Sequence, residues 1–283
     1  MTQAAEATDF ERRVYSKVTW RLIPFLFMCY IFAYVDRVNL GFAKLQMQQE
    51  LSFSDAVYGT GAGIFFVGYL LFQVPCNLAL QRVGAKLWLG PIMIVWGVVS
   101  ACTMFVHGKW DFYGIRFLLG VVESGFFPGV ILYLTFWFTS KYRAKMVAAF
   151  MTAIPLSGLI GGPISGWLLN KMASVGGLHA WQWLFIVEAV PSVIAGFVTM
   201  IFLEDSPEKA KWLNQDEKNL LLTRLNEDEE LKKTAAGEHH HHRFVDALKK
   251  PAVWLFCLIL FRRGHRQLRS AILASANHQR HSQ

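Results

Sequence analysis

Asp36, Arg37, Arg116 and Glu123 are ionisable residues inside long apolar runs, where charge is expensive. Each costs roughly 2.5–3.5 kcal/mol at the centre of a membrane helix on insertion scales, so such groups normally face a cavity or one another. A guanidinium in a poorly hydrated cavity binds a carboxylate through a two-pronged, charge-assisted fork. A carboxyl beside it can trade that role for a proton, because desolvation favours its neutral form and a nearby arginine its charged form. When Glu123 or Asp36 takes a proton, an arginine loses its internal counter-ion and is free for an anion. The implied chemistry is joint binding and joint release of an anion and a proton. Arg37 and Arg116 are the anion-binding candidates, and Asp36 and Glu123 the proton-coupling ones.

Arg116 and Glu123 lie seven residues apart, which returns them to one helix face at an axial separation of about 10 Å. They cannot touch within the helix and make two stations on one wall. Asp36 and Arg37 are adjacent, about 100° apart around a helix, and address different neighbours. Tyr34, Tyr69 and Gln73 are candidates to hydrogen-bond a hydroxylated substrate, although tyrosines near span ends also serve as interface belts. The competing reading is that these charges only pair across helices and hold a bundle together. Buried pairs are a poor source of net stability, which favours a functional role for Arg116 and Glu123. Arg37, close to a span end, could instead snorkel to the interface. Lys44, beyond it, reads as loop.

The elements that must position these residues are membrane helices. About 20 mostly apolar residues cross a bilayer as a helix, and six stretches qualify: Leu22–Ala43, Val57–Leu80, Leu87–Val106, Phe112–Phe138, Met146–Leu169 and Trp183–Leu203. The 283-residue chain is 54% apolar and only 17% charged, with a mean hydropathy of +0.32. Those charges are too few to cover a water-soluble surface, and they cluster between the apolar runs. Glu6, Asp9 and Glu11 precede the first run, which argues against a signal peptide. Cys29, Cys76, Cys102 and Cys257 all sit in apolar stretches without a CxxC pair, the pattern of buried thiols rather than of a disulfide framework or zinc site.

Loop charge sets an orientation. Arg12, Arg13, Lys17, Arg21, Arg82, Lys86, Lys141, Arg143 and Lys145 fall on one side, joined by the basic residues of Glu204–Lys250; the other side has Lys44, Lys109 and Lys171. Enrichment of Lys and Arg in cytoplasmic loops puts the N-terminus inside. The net charge of +8 is thus mostly topological, because a nucleic-acid surface would gather these residues on one face with stacking aromatics. Residues 204–250 read as a cytoplasmic loop, with an amphipathic helix expected over Lys209–Leu225 at the membrane surface. The run His239–His242 within it reads as solvated rather than metal-binding.

The six runs form two sets of three with matching oddities: ionisable residues in the first of each set, small residues in the second. Gly59/Gly63 and Gly158/Gly162 have the spacing that lets membrane helices approach closely. A three-plus-three repeat of this kind builds secondary transporters. No nucleophile–base set, phosphate loop or metal motif accompanies it, so the sequence points to no enzyme and calls for no cofactor.

Several segments together resemble the anion:cation symporters of the major facilitator superfamily. They are Tyr34-Val-Asp-Arg-Val-Asn-Leu-Gly-Phe-Ala43, Gln73-Val-Pro-Cys-Asn77, Arg82-Val-Gly-Ala85, Arg116-Phe-Leu-Leu-Gly-Val-Val-Glu123-Ser-Gly-Phe-Phe-Pro-Gly129 and Glu204-Asp-Ser-Pro-Glu-Lys-Ala-Lys-Trp-Leu213. The resemblance runs from about residue 15 to Phe261. It implies a twelve-span transporter of small organic anions, such as sugar acids, tartrate-like or aromatic carboxylates, moved with protons. It also implies anion binding and proton coupling at Arg37, Arg116, Asp36 and Glu123, with Tyr34 and Tyr69 in the cavity. Two departures stand out. Asn77-Leu-Ala-Leu-Gln81 replaces the superfamily's usual loop motif, and Ser157–Gly166 is similar to an antiporter motif, which keeps anion exchange open.

The expected molecule is an all-α membrane protein, the N-terminal half of that fold. Residues 1–203 form the six-helix bundle, 204–250 the cytoplasmic loop, 251–261 an incomplete seventh span and 262–283 a basic tail. Its setting is the bilayer of a bacterial-type inner membrane, and its partners are a small organic anion and protons, with no nucleic acid. A truncated chain would be inert, or would work with another bundle or a second copy. The tail holds Arg262, Arg263, Arg266, Arg269 and Arg280 but no acidic residue, and after a seventh crossing it would defy the charge rule that the earlier loops obey. A lost reading frame near Phe261 explains this. Genomic DNA read one base either way after codon 261 is expected to continue as a run of apolar spans; its absence would leave a genuine basic tail.

Overall fold

The computed structural model describes residues 2–172 and 175–236, with Pro251, Trp254 and Leu255, and side chains from residue 8 onward. Apart from those three positions, the short seventh segment, the basic tail, Cys257 and the His239–His242 run lie outside the described residues. A compact unit covers Met1–Asp228 and a second covers Glu229–Gln283. In the second, Lys233 pairs with Glu229 and Glu230 at 3.2 and 3.0 Å.

The helices are α1 (Thr2–Glu50), α2 (Asp55–Val83), α3 (Ala85–Ala101, followed by a 3-10 turn at Cys102–Phe105), α4 (Lys109–Glu123), α5 (Phe126–Thr135), α6 (Ser140–Met151), α7 (Ala153–Lys171), α8 (Ala180–Phe202) and α9 (Gln215–Ala236). Among the described residues, six helical stretches are long and apolar enough to cross a membrane: Thr8–Glu50, Asp55–Val83, Ala85–Phe105, Lys109–Thr135, Ser140–Lys171 and Ala180–Phe202. They correspond to the six runs expected from hydropathy.

Two of these spans are broken where the hydropathy is continuous. Span 4 parts into α4 and α5 at Ser124–Gly125, and span 5 parts into α6 and α7 at Thr152. Proline lacks an amide hydrogen and clashes with the carbonyl four residues back. Pro128 and Pro155 lack the bonds to Ser124 and Met151. The backbone at Ser124, Gly125 and Thr152 nevertheless stays right-handed helical, and Pro24, Pro75, Pro91, Pro163 and Pro191 lie inside helices that run on unbroken.

Neighbour relations follow the repeat. Span 3 packs most extensively on span 6, span 2 on span 4, and span 5 on span 1. Exchanging 1 with 4, 2 with 5 and 3 with 6 maps this set of pairs onto itself, as a three-plus-three repeat requires. The close approaches are not made by the glycines singled out by spacing. Gly59, Gly63 and Gly158 have open space around them, and Gly162 meets only the tip of Phe42. Instead α2 crosses α4 at Gly68 and Gly120, where a Cβ on Gly120 would fall on the Phe65 carbonyl. In the same way α3 crosses α8 at Gly90, Gly97 and Gly196. Small-residue spacing marks the ability to approach; which face does so is decided by the neighbouring helix.

The segment after span 6 also departs from expectation. A 3-10 turn at Pro207–Lys209 is followed by α9 only from Gln215, because Asn214 and Glu217 cap each other: Glu217 N donates to Asn214 Oδ1 at 2.8 Å and Asn214 N to Glu217 Oε2 at 2.9 Å. Its apolar residues pack on the bundle. Ala210, Leu213 and Leu221 are buried in the bundle's core, Trp212 stacks on Trp137 at 5.7 Å, and the Arg21 guanidinium lies 5.0 Å over Trp212. Lys17 pairs with Glu217 at 2.7 Å and Arg224 with Glu11 at 2.8 Å.

The Gly120 crossing has no room for a side chain. Gly120→Val is expected to destabilise by about 3 kcal/mol, and Gly59→Ala, at an open helical position, to leave stability unchanged or raise it by up to about 1 kcal/mol, read from thermal unfolding in detergent. For Glu217, burial works against the charged form, but hydrogen bonds from Lys17 and the Asn214 amide outweigh it and hold the carboxyl below its usual range. A depressed folded value means the contact is fully stabilising above the unfolded value of about 4.3 and is lost as pH falls through the folded one. Limited proteolysis of residues 204–228 should accelerate over that acidic window, and Glu217→Gln should remove the pH dependence.

Candidate functional site

Span 1 supplies two charged side chains facing different ways, as adjacent helical positions must. Asp36 points at span 3, where Trp96 Nε1 donates to Oδ2 at 2.9 Å and Ser100 Oγ donates to Oδ1. Arg37 points at span 4 and pairs through Nη2 with Glu123 Oε2. Its guanidinium also lies over three rings, at 5.1 Å from Tyr34, 5.3 Å from Phe65 and 5.8 Å from Tyr69. Such stacking suits a weakly hydrated cation in a poorly polar setting.

Arg116 is buried two turns from Glu123 on α4, with its guanidinium 4.6 Å over the ring of Phe65. One phenyl ring therefore serves both arginines. The Nε atoms of Arg37 and Arg116 have no hydrogen-bond partner among the described residues. Each cation thus keeps donor capacity beyond the contacts that hold it.

A cavity of about 260 Å³ opens beside the ion pair. Tyr34, Arg37, Tyr69 and Glu123 all line it, together with Tyr30 and Trp96. Of the residues singled out in the sequence, these four are brought together. Asp36 and Arg116 stand behind the wall, and Gln73, one turn beyond Tyr69 and half-buried, is not part of the lining. The break at Ser124–Gly125 turns Phe126 and Phe127 into the cavity directly after Glu123. Tyr30 is fixed there by stacking on Phe150 at 4.2 Å.

Sequence reasoning missed several contributors. A tryptophan or phenylalanine in an apolar run reads as core, so neither Trp96 as the donor to Asp36 nor Phe65 as the shared ring was distinguishable. Glu188, in span 6, is a different omission. It is an acid inside an apolar run, the same signal that marks Glu123, and it is buried with Ser165 Oγ donating to it at 3.0 Å. Among the described residues, no group of His, Cys, Asp and Glu is arranged to hold a metal ion. Of the thiols expected to be buried, Cys29 is, whereas Cys76 and Cys102 are only half-buried, next to outward-facing helix surfaces.

Residues 26–263 match the Major Facilitator Superfamily. A relative named metabolite transport protein NicT, from Pseudomonas putida, is 56% identical over 218 residues, covering 77% of this chain and 50% of its own length. A relative from Agrobacterium vitis named as a tartrate transporter is 53% identical over 225 residues, covering 80% of this chain and 52% of its own. The inward-open xylose transporter XylE of E. coli has the same fold, with a TM-score of 0.59 at 16% identity over 81% of this chain and 57% of that one. The chain spans about half the length of the curated relatives it matches. A sequence matched along most of its length and a bundle of six membrane-length helices lead to one conclusion: this chain belongs to the Major Facilitator Superfamily, whose members are multi-pass membrane proteins.

Proposed function

We propose that this chain is one half of a secondary transporter that carries a small organic anion together with a proton. The observation that carries this reading is the Arg37–Glu123 pair on the wall of an aromatic-lined cavity. With Glu123 ionised, Arg37 is occupied by an internal carboxylate. A proton on Glu123 removes that competitor, and the guanidinium takes the carboxylate of the substrate instead. Proton and anion then enter together and leave together. Tyr34 and Tyr69 offer hydroxyls to the substrate, and Arg116 with Asp36 forms a second charged station behind the first. The name of the Agrobacterium vitis relative supports a carboxylate cargo such as tartrate, a sugar acid or an aromatic acid.

Loop charge supports a cytoplasmic N-terminus in a bacterial-type inner membrane. Alternating access works by rocking one bundle against another around a central site, so transport requires a second six-helix bundle, a second copy of this chain being one source. Large apolar side chains exposed on α2, among them Phe66, Leu70 and Leu71, are consistent with such a neighbour or with lipid.

Anion binding is measurable on the purified chain. Isothermal titration with tartrate and with sugar acids should give tighter binding at lower pH, with one proton taken up per anion, read from heats in buffers of different ionisation enthalpy. Arg37→Lys should weaken binding tenfold or more, about 1.4 kcal/mol per factor of ten, because lysine lacks the planar fork. Glu123→Gln should bind as tightly at high pH as at low. Binding with the same pH dependence in both variants would remove the basis of the proposal.

A further inference from the structure

Five ionisable side chains occupy the interior of the described bundle: cations Arg37 and Arg116, and carboxyls Asp36, Glu123 and Glu188. The two arginines sit with Glu123 and near Asp36. Glu188 has no cation beside it. It is 7% exposed, its Oε1 accepts a hydrogen bond from Ser165 Oγ at 3.0 Å, and its Oε2 has no hydrogen-bond partner among the described residues.

The surroundings lack positive charge on every side. Span 1 presents Asp36, near enough for the two acids to interact, and the fully buried Asn39. Span 5 has no ionisable residue between Ala153 and Leu168, and span 3 has none between Leu87 and Ala101; the adjoining turn has the thiol of Cys102. Among the described residues, Ser165 is the one side chain that donates to Glu188, although Asn39 Nδ2 and Ser192 Oγ are buried nearby without a hydrogen-bond partner. Ser165 Oγ is also 3.3 Å from Asn39 Oδ1 and 2.8 Å from the Gly161 carbonyl, so one hydroxyl hydrogen faces three acceptors. An ionised carboxylate in such a site would be a buried, uncompensated charge, among the most costly arrangements in a membrane protein.

We propose that Glu188 is a resident proton-binding site of the bundle: it holds a proton while no anion is bound, and Ser165 and Asn39 link it to the part of span 1 that carries Asp36. With that proton in place the interior holds two positive and two negative charges. A monoanion entering with one further proton then leaves the interior neutral, which it would not be if Glu188 were ionised. Only this last consequence rests on the symport reading.

The test is infrared spectroscopy of the purified chain in detergent at neutral pH, without anion, following the carbonyl stretch of protonated carboxyls. A protonated-carboxyl band is expected in the wild type, lost in Glu188→Gln and retained in Glu123→Gln. Ser165→Ala, which keeps the acid and removes its hydrogen bond, should shift the band without abolishing it, and Asp36→Asn should also shift it. If Glu188→Gln does not fold, the Ser165→Ala shift decides. A band unchanged in Glu188→Gln, or unmoved in Ser165→Ala, overturns the assignment. So does a band that disappears when sodium chloride replaces choline chloride, which would make the cluster a cation site. Because no anion is present, the outcomes separate: a Glu188 band without anion binding at Arg37 would count against transport alone. Proton-linked anion binding without the band would count against Glu188 alone.

Discussion

The ion pair of Arg37 with Glu123 is tolerable inside an apolar helix bundle only because each charge answers the other. Much of what surrounds it follows from keeping the pair complete. Spans 2 and 4 must come close enough for Phe65 and Tyr69 to reach the guanidinium from one side while Glu123 reaches it from the other. The glycine contacts at Gly68 and Gly120 provide that closeness. Phe65 then also receives Arg116, so a cation that would otherwise repel its neighbour gains a partner in the same ring. A polar centre is obtained in which Arg116 and Glu123 stay buried and only Arg37 is partly exposed to the cavity.

Span 4 shows how a local backbone rule is put to use. Pro128 cannot continue the helical ladder, and the break falls just after Glu123. Glu123 therefore stands just before this irregularity, and Phe126 and Phe127, just after it, line the cavity. Span 5, related to span 2 in the repeat, is interrupted by its own proline near Met151, which also lines the cavity. The cavity is thus bordered by spans 4 and 5, by the unbroken α1 and α2, and by Trp96 of α3. Tyr30, held by Phe150 and Phe127, fills the space between the interrupted pair.

Much of this was legible in residue types. The cost of charge in hydrocarbon is so large that Asp36, Arg37, Arg116 and Glu123 announce themselves, and the 100° step between neighbours already separates the partners of Asp36 and Arg37. Hydropathy located the six spans because membrane length is a strong constraint. What escaped depends on tertiary neighbours. Gly59 and Gly120 are the same residue type in equally apolar helices, yet only Gly120 faces another backbone. Lys209–Leu225 has a helical apolar spacing, but Asn214 and Glu217 delay the helix and a tryptophan pair draws the segment onto the bundle. Gln73 is polar at a plausible height, and only the rotation of α2 leaves it out of the lining.

The exchange that maps span 1 onto span 4 and span 3 onto span 6 has a consequence for where the loop charges fall. A unit with an odd number of crossings, followed by its copy, necessarily carries that copy upside down. Equivalent loops then face opposite sides, so the two repeats cannot share one pattern of surface charge. They do not: Arg12, Arg13, Lys17 and Arg21 precede span 1, whereas Lys109 alone stands at the entrance to span 4. Arg82 and Lys86 join spans 2 and 3, against Lys171 between spans 5 and 6. The pairing of helices is thus common to the two repeats, whereas the positive residues fall in non-equivalent loops, the arrangement that two oppositely inserted units require.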